Sequence, residues 1–130
     1  MENFDLSGFT LLIAEDDYHT VVYLKETLKQ SGIKIITAQN GREALELVQK
    51  GTPIDLIFMD AMMPMMTGFE ATRRIKQVNN KIPVVILTAY VGQDSIRQAV
   101  ASGCNDYLSK PLNLKVVQAI AQKWLTGNES

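Results

Sequence analysis

Six side chains of this 130-residue sequence could do chemistry together: Glu15, Asp16, Asp17, Asp60, Thr88 and Lys110. Three of the acids stand in a row, and the fourth, Asp60, closes the apolar run Leu56 to Met59. Carboxylates gathered in a small cleft repel one another strongly at effective dielectric constants of about 20 or less. Without a cation, some of them are driven to protonate. A hard divalent cation resolves the conflict. Mg²⁺ takes oxygen ligands in an octahedron and keeps several waters. Asp16, Asp60 and the main-chain carbonyl of Met62 would supply a partial ligand set, with open positions left for phosphate oxygens. Asp60 could then act as a carboxylate nucleophile and form an aspartyl-phosphate. A phosphoryl group in transfer carries charge on its equatorial oxygens. Lys110 could pair with one of them, and the Thr88 hydroxyl with the Ala89 N–H could bond another.

Those residues need a scaffold that brings distant positions to one edge. Leu56 to Met59 is a short, bulky apolar run ending at a charged residue, the pattern of a strand buried on both faces. Pro64 and Gly68 mark the loop after it. Thr10 to Ala14 reads as a first strand, ending at the acidic run. Ile33 to Ala38, rich in β-branched residues, reads as a second. Ile82 to Leu87 reads as a fourth, with Pro83 at its start. Asp106 to Ser109 reads as a fifth, ending at Lys110-Pro111. Helical spacing fills the gaps. Val21, Leu24 and Leu28 precede a stop at Gly32. Ala44, Leu45 and Val48 follow Asn40 as N-cap. Phe69, Thr72 and Ile75 follow Thr67. Ile96, Ala99 and Val100 precede Gly103. Leu114, Val117, Ala121 and Trp124 follow Asn113. Strands alternating with helices predict a parallel sheet covered on both faces. In such sheets ligands bind outside the carboxyl ends of the strands, where all the reactive candidates fall.

Composition narrows the setting. The chain is 46% hydrophobic and 21% charged with net charge −1, so it has no basic footprint for nucleic acid or an anionic membrane. The single cysteine, Cys104, allows no internal disulfide, which suits a reducing compartment. No apolar run approaches the ~20 residues that span a bilayer. Met1 to Gly8 is not a secretory signal. The expected location is cytoplasmic, with no membrane insertion and no direct nucleic-acid contact. One domain is expected, residues 9–126, with a polar lead-in over 1–8 that is not core and a short tail over 127–130.

The acidic pair Glu15-Asp16, Asp60 followed by Met63-Pro64 and Gly68, Thr88-Ala89, and Tyr107 ahead of Lys110-Pro111 together resemble the receiver domain of two-component response regulators. The resemblance runs from Phe9 to Lys123, each piece at the end of its own strand. It implies a flavodoxin-like (βα)5 fold with strand order 2-1-3-4-5 and a cis bond before Pro111. It implies Asp60 as acceptor of a phosphoryl group from a histidine kinase or phosphotransfer domain. Asp16 would ligate Mg²⁺ directly and Glu15 would act through metal-bound water. Thr88 and Tyr107 would form a switch acting on an output partner through the fourth helix, fifth strand and fifth helix. Such a domain catalyses only its own phosphorylation and dephosphorylation. Thr67 stands where the family usually carries Asp, and Met62 and Tyr90 occupy positions that tune dephosphorylation. The lead-in Asp5 to Gly8 and the Glu15-Asp16 pair are similar to receivers of hybrid sensor kinases. No output domain is expected after Trp124.

Other functions fit less well. An aspartyl phosphatase would place a second Asp two residues after its nucleophile, and Met62 stands there. A flavodoxin-type carrier would have a hydroxyl-rich phosphate loop after the first strand, where the three acids are instead. A receiver that only docks is the remaining alternative. Several residues have plain structural readings: His19 exposed or acid-paired, the methionines around Asp60 as packing, Arg73, Arg74 and Lys76 as a solvated face, Cys104 as a small buried residue, and Trp124 closing the core.

Overall fold

The computed structural model describes residues 4–90 and 92–127. The outermost residues of the expected lead-in, 1–3, and of the tail, 128–130, lie outside them, so those expectations are not addressed there.

The central strand shows why the chain folds as it does. β3 (Leu56–Asp60) is buried at every position. It lies between β1 (Thr10–Ala14) and β4 (Val84–Thr88), and the outer strands are β2 (Lys34–Ala38) and β5 (Asp106–Ser109). All pairings are parallel, in the order β2-β1-β3-β4-β5. The resemblance implied this order. Both central neighbours are buried almost throughout, whereas the edge strands alternate with solvent.

Side chains that alternate along each strand divide the core in two. Leu12, Ile57, Met59, Val84 and Ile86 meet Ala44, Leu45 and Val48 of α2 (Gly41–Gln49) and Ala71 and Ile75 of α3 (Gly68–Val78). Leu11, Ile13, Phe58, Val85 and Leu87 meet Leu24 and Leu28 of α1 (Tyr18–Leu28) and Val117 and Ala121 of α5 (Leu114–Thr126). Each such fully buried large side chain contributes about 1.5–3 kcal/mol of transfer free energy. The expected caps form. Asn40, Thr67 and Asn113 accept hydrogen bonds from the first turns of α2, α3 and α5, so Thr67 does the capping work of the usual Asp. A 3₁₀ turn, Lys29–Ser31, extends α1 to the left-handed Gly32.

Several expectations need correction. Leu6 of the lead-in is fully buried, and its N–H donates to Ser31 O at 2.8 Å. One apolar residue among polar neighbours carries no periodicity, so the segment reads as solvated. Ile33 and Ile82 lie just before β2 and β4 rather than inside them, and Thr88 is the last residue of β4. In α4 (Gln93–Ser102) the buried residues are Ser95, Ala99 and Ser102, while Ile96 is 37% and Val100 74% exposed. The helix turns its small residues inward. Leu114 of α5 is also largely exposed. Met59 and Met63 pack as expected, but Met62 and Met65 face solvent. Cys104 is half-buried. Lys76 is no solvated residue: its ammonium donates to Ile82 O at 2.8 Å and to Asn105 Oδ1 at 2.6 Å. Arg73 and Arg74 are exposed and pair with Glu70.

Candidate functional site

β1, β3 and β5 all end at the same edge of the sheet, and the side chains that follow them converge there. Glu15 is 3% exposed and Asp60 7%, whereas Asp16 is exposed. Lys110 reaches across from β5. Its Nζ donates to Glu15 Oε1 at 2.9 Å and to Asp60 Oδ1 at 3.1 Å. Carboxylate oxygens of Glu15, Asp16 and Asp60 lie within 4.8 Å of one another. Asp17 does other work. It is the N-cap of α1, accepting from His19 N at 3.3 Å and from the Thr20 hydroxyl at 2.8 Å. His19 itself is exposed.

The backbone beside Asp60 is held as closely as its side chain. Gly68 opens α3 directly against it, and a Cβ at Gly68 would lie 2.0 Å from the Asp60 carbonyl oxygen. The Gly68 N–H donates to Ala61 O at 2.8 Å, and Ala61 N–H donates to Leu87 O at 2.8 Å. Only a residue with no side chain allows the helix to start there. Between them runs a turn in which Met65 takes φ 75°, a left-handed conformation uncommon for a side-chain-bearing residue. The side chain of Met62 is 69% exposed.

The charges are poorly balanced. Burial is the largest influence on both Glu15 and Asp60 and lifts both carboxyls above their ordinary values, against the opposing pull of Lys110. The negative charge of Asp60 pushes Glu15 further up. Burial alone would lower the Lys110 ammonium. Its hydrogen bonds to Glu15 and Asp60, and their charges, outweigh that and raise it. Three carboxylates thus lie together while the Lys110 ammonium bonds two of them, Glu15 and Asp60. The unneutralised charge, the all-oxygen donor set and the close spacing fit a hard divalent cation such as Mg²⁺. Glu15, Asp16 and Asp60 are the residues that could hold it.

Thr88 stands on the adjacent strand, and its hydroxyl bonds with the main chain of Tyr90. It donates to Tyr90 O at 2.8 Å and accepts from Tyr90 N at 3.1 Å. Threonine hydroxyls commonly close such local loops, a signal present in the sequence though not read there. Tyr107 is 41% exposed, and it lines a small cleft with Thr88, Phe69 and Ile96. The structure therefore brings Glu15, Asp16, Asp60 and Lys110 together and leaves Thr88 and Tyr107 nearby but unengaged. The bond before Pro111 is cis. Trp124 is half-buried and packs against the core as expected, and its indole N–H donates to Asp106 Oδ2 at 3.1 Å. No helix among the described residues is long and apolar enough to cross a membrane.

Comparison with known proteins agrees with this geometry. The model of the response regulator receiver domain matches residues 11–122. Sporulation initiation phosphotransferase F of Bacillus subtilis is 32% identical over 115 residues, covering 88% of this chain and 92% of that protein. A cyclic di-GMP phosphodiesterase of Thermotoga maritima is 36% identical over 109 residues, covering 84% of this chain but 29% of that protein. The chain thus spans under a third of the first curated relatives it matches. Among solved structures, the receiver domain of a sensor histidine kinase from Pseudomonas aeruginosa superposes with TM-score 0.84 at 29% identity. It covers 94% of this chain and 100% of its own, and a magnesium ion is coordinated in its active-site cleft. The Saccharomyces cerevisiae response regulator Ssk1, solved with the phosphotransfer protein Ypd1, gives TM-score 0.81 at 32% identity, covering 90% of this chain and 88% of the other. The chain belongs to the response regulator receiver domain family of two-component phosphorelay signalling.

Proposed function

We propose that this domain is a phosphorylation-activated switch in which Asp60 accepts a phosphoryl group from a histidine kinase or a phosphotransfer domain. The observation that carries the reading is the convergence of a buried Asp60 with Lys110 at 3.1 Å and with the Glu15 and Asp16 carboxylates. An Asp60 carboxylate oxygen forms a bond to phosphorus as the phosphorus–nitrogen bond of the phosphohistidine breaks, and the imidazole keeps the electron pair. Lys110, already bonded to Asp60, is placed to pair with a transferred phosphoryl oxygen. Mg²⁺, when bound, supplies the positive charge that offsets the incoming group. Asp16 and Asp60 would be its ligands, together with the Met62 carbonyl, and Glu15 would act through bound water. The domain catalyses no reaction but its own phosphorylation and dephosphorylation.

Phosphorylation adds about −1.5 to −2 charge and three acceptor oxygens. The Thr88 hydroxyl then exchanges Tyr90 O for the phosphoryl group, and Tyr107 turns into the cleft it borders. The α4–β5–α5 face changes and engages the output partner. A groove of about 520 Å³ lined by Tyr107, Pro111 and Val116 on that face supports this assignment. The test is intact mass after incubation with phosphoramidate, with and without Mg²⁺, beside Asp60→Asn. One added phosphoryl group that needs both Mg²⁺ and Asp60 is expected. No gain under any condition would leave only a docking role, and a gain that survives in the variant would move the nucleophile elsewhere.

A further inference from the structure

β5 is a strand of four residues anchored at both ends by charge. At its carboxyl end Lys110 holds Glu15 and Asp60. At its amino end Asp106 holds the last turns of α5. Asp106 Oδ2 accepts from the Trp124 indole at 3.1 Å and faces Lys123 Nζ at 3.8 Å. Its other oxygen accepts from the Tyr107 N–H at 3.0 Å. The Lys123 ammonium also sits 5.2 Å from the centre of the Trp124 ring. One carboxylate therefore touches the strand that carries Tyr107 and leads into Lys110, and the far end of the last helix. Between the two anchors the strand is paired to β4 without a break from Val85–Asp106 to Thr88–Ser109.

We propose that Asp106 is a positioning residue that couples phosphoryl transfer at Asp60 to the C-terminal turn of α5 through its hydrogen bond to Trp124. The coupling rests on the switch described above. When Lys110 trades Glu15 and Asp60 for a phosphoryl oxygen and Tyr107 turns inward, β5 shifts. Asp106 moves with it and carries the Trp124–Lys123 pair. The segment told of the site's state is then the end of α5, beyond the groove beside Tyr107, and whatever follows or contacts that turn receives the signal.

The chain has one tryptophan, so its indole N–H gives one resonance in a nitrogen–proton correlation spectrum. The experiment records that resonance before and after phosphoramidate and Mg²⁺, with intact mass on the same samples. In the wild type the resonance is expected to move on phosphorylation. In Asp106→Ala the movement is expected to fall at least threefold while the mass still gains one phosphoryl group. Asp106→Asn, which keeps an oxygen for the indole, is expected to retain it. If Asp106→Ala does not fold, Asp106→Ser, polar but too short to reach the indole, gives the same reading. An indole resonance unmoved in the phosphorylated wild type overturns the coupling, and so does full movement in either shortened variant. A mass with no phosphoryl group instead overturns the switch on which the coupling rests.

Discussion

The two ends of the sheet are built on opposite principles. At the amino ends of the strands, Leu6 closes over Leu11, Leu56 and Leu28 with no exposure above 1% and no charge among them. At the carboxyl ends, Glu15 and Asp60 are nearly as buried, yet both are acids whose burial disfavours their charge. One region gains stability from every side chain it encloses. The other encloses groups that would be better off in water, and holds them there by main-chain bonds and a glycine. The apolar end and the acidic candidate site are thus separated by the length of a five-residue strand.

The contrast predicts effects of opposite sign. Leu6→Ala should lower the unfolding free energy by about 3 kcal/mol, as for other buried leucines, measured by urea denaturation. A loss below about 0.5 kcal/mol would show that the lead-in is an appendage after all. At the other end, Mg²⁺ at a hundredfold excess over its Kd should add about 2.7 kcal/mol, seen as a rise in Tm that Asp16→Asn largely removes. Asp60→Asn in metal-free buffer should raise stability by on the order of 1 kcal/mol, because it deletes a repelled, desolvated charge. A loss there would mean that Lys110 compensates the acids fully.

The pH dependence follows the same logic. Glu15 and Asp60 hold protons more tightly folded than unfolded, because their folded carboxyls are raised. Between the unfolded and folded values the native state binds more protons, so the metal-free domain should gain stability as pH falls through that window. With saturating Mg²⁺ the slope should reverse, since protons compete with the metal for the same oxygens. Thermal melts across pH 4 to 7, with and without Mg²⁺, distinguish the two slopes. The smallest expected effect lies in the packed region. Thr72 is fully buried and its hydroxyl has no hydrogen-bond partner among the described residues. Thr72→Val should stabilise by about 1 kcal/mol; a loss would reveal a partner for that oxygen.

What the sequence made legible was whatever repeats or ends sharply. Leu56 to Met59 announced a doubly buried strand, Asn40, Thr67 and Asn113 announced helix starts, and Asp60 and Lys110 fell at strand ends where a parallel sheet collects them. The strand order and the joint identity of the site came through resemblance rather than periodicity. What stayed hidden depended on single long-range partners. Nothing local in Lys76 points to Ile82 and Asn105, and nothing in Asp106 points to Trp124. The inward face of α4 was misread because burial there goes to Ser95, Ala99 and Ser102, which hydropathy undervalues. The Thr88 hydroxyl bonds the main chain of Tyr90 two residues on, a local turn that the residue type permits but does not dictate.

Lys110 and Glu15 are 95 positions apart in the chain, and Lys110 and Asp60 are 50 apart. A ribosome adding roughly 5 to 20 residues per second releases Glu15 some 5 to 20 s before Lys110. Throughout that interval the nascent chain carries the acids without their ammonium. The edge strand β5 is also the last of the five strands to be made, and it leads into Lys110, the only cation bonded to the cluster among the described residues. On the proposed function, a half-synthesised domain lacks the ammonium that would pair with the phosphoryl group, so phosphorylation of Asp60 is expected only once the chain has passed β5.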